Sequence, residues 1–327
     1  MIRRGVILVA TLLLSASGAQ AQGHGVNVQV NEGMDIPTVA QLQIVLNPGD
    51  FVRDVLSWHN SDPNCNLRTD PALRLRIPNN LAELYANVQA AQGKNFITLG
   101  FNNTNCGQIS NSGADTFPDT DELRAEFAAY AVRVVKDVPS LGGISIWNEL
   151  NGTWDGGYSN AADKLTNYCL LANKVITEVR KVDKNIPIAI GATVGIYVGK
   201  FIINMFDTYG CAGKGDPTIW VDLHPYLNRN WDKLERAITK IRADQITNPL
   251  IASEWGAGAA YKWSLDNPGS DYVSTFDALV LSRNGPWAGS MWFELLYEKK
   301  FPHTTLFDKT GQNLTIFGTQ YIGAVRH

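Results

Sequence analysis

The amino-acid sequence predicts an α/β fold, a single-domain (β/α)8 TIM barrel. Short apolar runs of strand character alternate with amphipathic helical stretches, and eight such units fit into roughly 300 residues, the count of a closed parallel barrel. Polar residues also gather where those strands end, at the face where such barrels keep their chemistry. A doubly wound open sheet is the alternative, but no glycine-rich phosphate loop follows any strand. No Pro/Ser-rich linker or repeat divides the chain, and little length remains for a second domain.

In order, the strands are expected at 25–30, 51–57, 95–101, 143–149, 187–193, 219–225, 249–254 and 288–294. Between them, Leu81, Leu84, Tyr85, Val88 and Ala91 fall on one helical face. So do Leu123, Phe127, Tyr130, Ala131 and Val134, and again Leu165, Tyr168, Ala172, Val175, Ile176 and Val179. Thr120 followed by Asp121 and Glu122 suits one helix start, and Lys181 and Lys184 close another, as capping and the helix dipole prefer.

Residues 1–21 read as an export signal: Arg3 and Arg4, an apolar core from Val6 to Leu14, then the cleavage pattern Ala19-Gln20-Ala21. That core is too short to span a bilayer. The barrel is expected over 22–327, in a secreted or periplasmic protein. Loss of Arg3 and Arg4 from 28 basic residues, against 31 acidic ones, leaves the mature chain at about −5. Without a basic surface, nucleic acid and anionic lipid are not expected partners. A monomer is expected.

Cys65, Cys106, Cys169 and Cys211 form an even set, which favours two disulfides in an exported chain, with three pairings open. Cys65 and Cys106 lie in loops after successive strands and are paired here. Cys169 on a helix and Cys211 near the end of the next form the second pair. With no CxxC and no His/Cys cluster, neither metal nor another cofactor is expected.

The residues that carry chemistry are Glu149, ending Ile-Ser-Ile-Trp-Asn-Glu, and Glu254, ending Leu-Ile-Ala-Ser-Glu about a hundred residues later. Each stands where an apolar strand breaks into Gly, Asn or Trp, so it is costly to bury and held on a rigid support. Two such carboxylates suit paired acid/base work on a glycosidic bond. A structural ion pair with Arg53 or a lysine is the plainer reading of each.

The chain resembles the clan A glycoside hydrolases, retaining enzymes on TIM barrels. The resemblance rests on Asn148-Glu149 after the fourth strand, His224-Pro225-Tyr226 after the sixth, Ser253-Glu254-Trp255 on the seventh and Met291-Trp292 on the eighth. Trp147-Asn148-Glu149 with Arg53 is most similar to family 39, particularly bacterial exopolysaccharide endoglycosidases, with family 5 close behind. Those families usually place Pro after this Glu, where this chain has Leu150-Asn151.

The resemblance implies Glu254 as nucleophile and Glu149 as acid/base, on a polysaccharide or oligosaccharide substrate. It implies substrate-binding roles for Arg53, Asn102, Asn148, His224, Tyr226 and Trp292. Asn148 would donate to the sugar 2-hydroxyl, Trp292 would floor the cleaved sugar, and Arg53 and Tyr226 would favour the ionised Glu254. Trp58, Trp154, Trp255 and Trp263 are further candidate walls, and Glu294 and Glu298 candidate substrate contacts. Hydrolysis within chains is the expected activity. A carbohydrate-binding protein without turnover, or a transglycosylase, is the alternative on the same barrel.

Overall fold

A computed structural model describes residues 23–70, 72–107, 117–151, 161–195, 198–226, 231–256, 287–296 and 304–325. The expected leader 1–21, Trp154, Trp263 and Glu298 lie outside them.

Eight parallel strands close into one barrel in sequence order. They are β1 (Gly23–Asn27), β2 (Phe51–Ser57), β3 (Lys94–Gly100), β4 (Leu141–Ile146), β5 (Ile188–Val194), β6 (Ile219–His224), β7 (Leu250–Trp255) and β8 (Trp287–Trp292), with β1 pairing to both β2 and β8. The helices around it are α1 (Val39–Val45), α2 (Trp58–Ser61), α3 (Asn79–Ala90), α4 (Asp121–Asp137), α5 (Ala161–Val179), α6 (Val198–Asp207), α7 (Trp231–Ala243) and α8 (Ile316–Val325). The fourth strand stops at Ile146, three residues before its expected end, because Trp147 (φ 68°) and Glu149 (φ 46°) sit in the left-handed region, which no extended strand admits.

Alternation along each strand sorts side chains into two compartments. On β6, Val221 and Leu223 face the helices, whereas Trp220 belongs to a separate cluster inside the barrel with Phe51, Phe96, Ala189, Ile251, Ala288 and Met291. Trp220 and Phe96 stack at 6.3 Å, and Phe51 meets both edge-on. Glycines admit this plug: a Cβ at Gly143 would come within 2.8 Å of the Phe96 ring, and one at Gly142 within 2.8 Å of the Phe51 ring. Continuing up the same inward rows, Asp222 and His224 follow Trp220, Arg53 follows Phe51, and Ser253 follows Ile251. An aromatic floor therefore carries a buried polar layer.

The helices cover the outside through the faces their periodicity predicts. Phe127, Tyr130, Ala131 and Val134 on α4, and Leu165, Tyr168, Ala172 and Val175 on α5, are buried. Each of the larger apolar side chains, such as Phe127, Val134, Leu165 and Val175, contributes about 1.5–3 kcal/mol by its burial. Thr120 caps α4 by accepting from the Leu123 amide at 3.1 Å. Buried tyrosines tie helices to strands: Tyr130 donates to Leu56 O at 2.6 Å, and Tyr168 donates to Ile146 O at 3.1 Å while accepting from the Gly191 amide. Disulfides join Cys65 to Cys106 and Cys169 to Cys211, the two pairings expected. No helix among the described residues is long and apolar enough to cross a membrane.

Candidate active site

Asn102, Asn148, Glu149, His224, Tyr226 and Glu254 lie at or just beyond the C-terminal ends of their strands, whereas Arg53 is the third of seven residues in β2 and reaches them through its long side chain. Glu254 is placed by an irregularity: the β7–β8 register shifts between Ala252 and Trp255, re-aiming the side chain there. Glu149 is placed by its tight turn. The Trp147 amide donates to Leu99 O and the Leu150 amide to Ala192 O, while the buried Trp147 ring packs among Phe101, Phe117 and Phe127 at 5.0–6.0 Å. Left-handed backbone at two non-glycine residues costs on the order of 1–3 kcal/mol each, and these contacts hold it in place.

Glu254 is buried and fully engaged. Arg53 Nη1 lies 2.5 Å from Oε1, and the Tyr226 hydroxyl donates to Oε2 at 2.5 Å. Burial alone would raise its pKa, yet Arg53, His224 and the Tyr226 bond outweigh that and hold it below the usual carboxylate range. Arg53 does not turn to its neighbour Asp54, whose carboxylate accepts from the Val30 and Asn31 amides instead. Its Nη1 also donates to Asn27 Oδ1, and Asn27 in turn donates to the carbonyls of Ser253 and Met291. Arg53 Nη2 donates to Asn148 Oδ1 at 2.8 Å. Since arginine only donates, the Asn148 amide nitrogen must face the other way, free to donate.

His224 is fully buried between the two acids. Its Nδ1 lies 3.2 Å from Glu149 Oε1 and 3.5 Å from Glu254 Oε2. One oxygen of each glutamate and this nitrogen all fall within 4.8 Å of one another. Burial opposes a charge on the ring, but Glu254, Glu149 and Asp222 together raise its pKa. On the far side, Nε2 lies 3.0 Å from Ser253 Oγ, which donates to the buried Asp222 at 2.8 Å. Ser145 donates to the same Asp222 oxygen at 2.9 Å.

The three glutamate and histidine donors have a metal-like spacing, but both Glu254 oxygens are already taken by Arg53 and Tyr226. A cation there would also confront a guanidinium on the same carboxylate. Near Asp62, the sulfurs of Cys65 and Cys106 are committed to their disulfide.

Trp292 departs from its expected place as a floor. Its ring is fully buried, with Nε1 donating to Thr304 O at 2.7 Å and its faces against Phe317 and Tyr321 of α8. The cause is strand parity: Met291 points into the barrel, so Trp292 points out. Phe293 follows on the cleft side and meets Tyr226 edge-on at 5.8 Å. Trp255 is likewise buried, edge-on to Trp292 at 4.6 Å. Trp58 is core, packed on Phe127 and Tyr130, and is not a wall of the cleft. Asn102 is partly buried in the loop after β3, and Glu294 is buried two residues past β8. The sequence reading missed Asn27, Ser145 and Asp222. The available signal was period-two alternation, Trp220, Asp222, His224, in an otherwise apolar strand.

No protein-family model matches the sequence, and no curated protein matches it. Solved structures do match by fold. The chain is similar to a family 39 glycoside hydrolase from the gut symbiont Bacteroides cellulosilyticus WH2 (TM-score 0.65, 18% identity), covering 93% of this chain and 64% of that one. It is also similar to a family 39 β-xylosidase from Caulobacter crescentus (0.64, 16%, covering 93% and 71%). A third is an endo-β-1,4-glucanase from Xanthomonas axonopodis pv. citri (0.60, 14%, covering 94% and 100%). At these identities the likeness establishes the barrel.

Proposed function

We propose that the protein is a retaining β-glycosidase acting on a polysaccharide, with Glu254 as nucleophile and Glu149 as acid/base. One observation carries the reading: an ionised Glu254 locked by Arg53 and Tyr226, with an oxygen of Glu149 within 4.8 Å of one of its own. Retaining enzymes hold their two carboxyls about 5–5.5 Å apart, whereas inverting enzymes leave a gap of about 6.5–9.5 Å for water. The fold neighbours support the same class, since they include a xylosidase and a glucanase.

In the first step a Glu254 oxygen bonds the anomeric carbon while the glycosidic C–O bond breaks and the departing oxygen takes the proton of Glu149. In the second, water attacks that carbon, gives its proton to Glu149 and releases Glu254. The outward Asn148 amide is suited to the sugar 2-hydroxyl, whose hydrogen bond strengthens in the transition state. Arg53, His224, Tyr226 and Asn102 complete the polar lining, and Phe293 takes the apolar role expected of Trp292. Cleavage within chains is the preferred mode, and export to the periplasm or beyond agrees with the two disulfides and the leader-like N-terminus.

The test is azide rescue on an aryl β-glycoside. The Glu254→Gly variant is expected to be inactive alone and to form an α-glycosyl azide, whereas Glu149→Gly should form the β-azide. Release of reducing ends from no polysaccharide or glycoside in a broad panel, by the wild type, sinks the proposal.

A further inference from the structure

Beneath the two glutamates, behind His224, lies a buried chain of groups that glycoside cleavage, as described, does not use. His224 Nε2, Ser253 Oγ and Asp222 Oδ2 stand in line at 3.0 and 2.8 Å, and Ser145 donates to the same carboxylate oxygen. All four residues are fully buried. An ionised carboxylate can only accept, so the Ser253 hydroxyl hydrogen points at Asp222. The serine oxygen then presents a lone pair to His224, and Nε2 must carry the hydrogen between them. The neutral ring consequently has a bare Nδ1, aimed at Glu149 Oε1 3.2 Å away.

We propose that Asp222, acting through Ser253, is a positioning residue that fixes the His224 tautomer. In that state His224 Nδ1 is a proton acceptor facing the acid/base, and the Glu149–His224 pair holds a single proton poised for the leaving group. The opposite tautomer would donate Nδ1–H to the Glu149 carboxylate, stabilising the ionised form that cannot act as an acid. The charged groups around His224 are Glu149 from the loop after β4, Glu254 from β7, Asp222 and Tyr226 from β6 and its loop, and Arg53 from β2. The role rests on the glycosidase reading, but the tautomer does not.

Asp222→Asn tests it with little change in size. The Ser253 amide, 3.2 Å from Asp222 Oδ1, requires an acceptor there, so the new amide nitrogen must replace Oδ2. It would donate to Ser253 Oγ, turn the serine hydrogen onto His224 Nε2 and drive the proton to Nδ1. Nitrogen-15 NMR of the imidazole, on the alkaline side of its titration, should find Nε2–H in the wild type and Nδ1–H in Asp222→Asn. Ser253→Ala, which cuts the relay but spares Asp222, should leave no fixed preference. Hydrolysis of glycosides with poor leaving groups should fall roughly 10- to 100-fold in Asp222→Asn, whereas activated dinitrophenyl glycosides, which need no acid, should change little. The alkaline limb of the pH–rate profile should move to lower pH.

A neutral wild-type ring protonated at Nδ1 overturns the proposal, even if Asp222→Asn does not fold. So does an equal loss on both leaving-group classes, the mark of a merely structural role. If the tautomers behave as stated and no glycoside is turned over, the relay stands and the glycosidase reading alone fails.

Discussion

Arg53 and Glu254 form a buried ion pair across the barrel mouth, 201 residues apart in sequence and 2.5 Å apart in space. The same guanidinium reaches Asn27 and Asn148, so one side chain from β2 joins the strand-one, strand-four and strand-seven parts of the site. Burying two charges is expensive, and the expense is met by pairing and by hydrogen bonds to the remaining donors. Removing one partner strands the other. Arg53→Ala should therefore cost about 3–5 kcal/mol of stability. The loss should shrink markedly when Glu254→Gln is already present, because the stranded charge is then gone. Denaturant unfolding of the four proteins in that cycle measures the coupling, and additivity would contradict a direct pair.

Tyr226 contributes a different part. Its hydroxyl donates 2.5 Å from Glu254 Oε2, while its ring stands edge-on to Phe293. Tyr226→Phe keeps the ring and removes only the donor. Stability should fall by about 1.5–3 kcal/mol, the range for a hydrogen bond to a charged group. Turnover should fall more steeply than KM changes, because the lost bond helps keep Glu254, the proposed nucleophile, ionised and in its rotamer. Steady-state kinetics beside a melting curve separate the two effects.

Glu149, the proposed acid/base, carries backbone strain. With φ at 46°, an L-residue pays a penalty that glycine does not. Glu149→Gly should be more stable than Glu149→Ala by about 1 kcal/mol, although on the proposed reading both lose acid/base function. Matched urea curves read the difference directly. Equal stability would show that the turn relaxes when the side chain is lost.

The physical reasons why parts of this site were legible in the sequence differ from residue to residue. Eight apolar runs at regular spacing place the strands, because burial on both faces leaves little room for polar residues. Glu149 and Glu254 stood out as ionisable groups at the ends of such runs. The pairing of Cys65 with Cys106 followed from loops after successive strands, and that of Cys169 with Cys211 from one helix and the end of the next. Trp292 was misplaced by a single step of alternation, since Met291 rather than Trp292 takes the inward position. Trp58 looked like a loop aromatic, yet a one-turn helix directs it onto Phe127. Asp222 was overlooked as part of a strand, because its value lies in two serines brought to it from β4 and β7. The alternation Trp220, Asp222, His224 marks an inward-facing position, but which serines meet it there is decided by barrel closure.

The disulfides close stretches of 41 and 42 residues, joining loop to loop and helix to helix end. On the chain-entropy account each stabilises by about 4 kcal/mol through the unfolded state. Reduction under native conditions should lower the melting temperature well before it alters the active site, because neither bridge touches the glutamates. Residual turnover of reduced protein at low temperature, compared with its melting curve, tests that order of loss.

The pH dependence of stability should have two opposed limbs traceable to two residues. Glu254 has a folded pKa below its ordinary value of 4.5, since Arg53, His224 and Tyr226 outweigh the effect of burial. Its contribution is complete above about pH 4.5 and is lost as pH falls through the folded value. His224 is raised above 6.5, the acids around it outweighing burial, so the folded state holds its proton more tightly. Its contribution is complete below about pH 6.5 and is lost as pH rises through the folded value. These two groups alone therefore favour the interval between about pH 4.5 and 6.5. Unfolding free energies measured from well below pH 4.5 to well above pH 6.5 should show Glu254→Gln flattening the acid limb and His224→Gln flattening the alkaline one. An alkaline limb that survives His224→Gln unchanged would mean that other groups govern it.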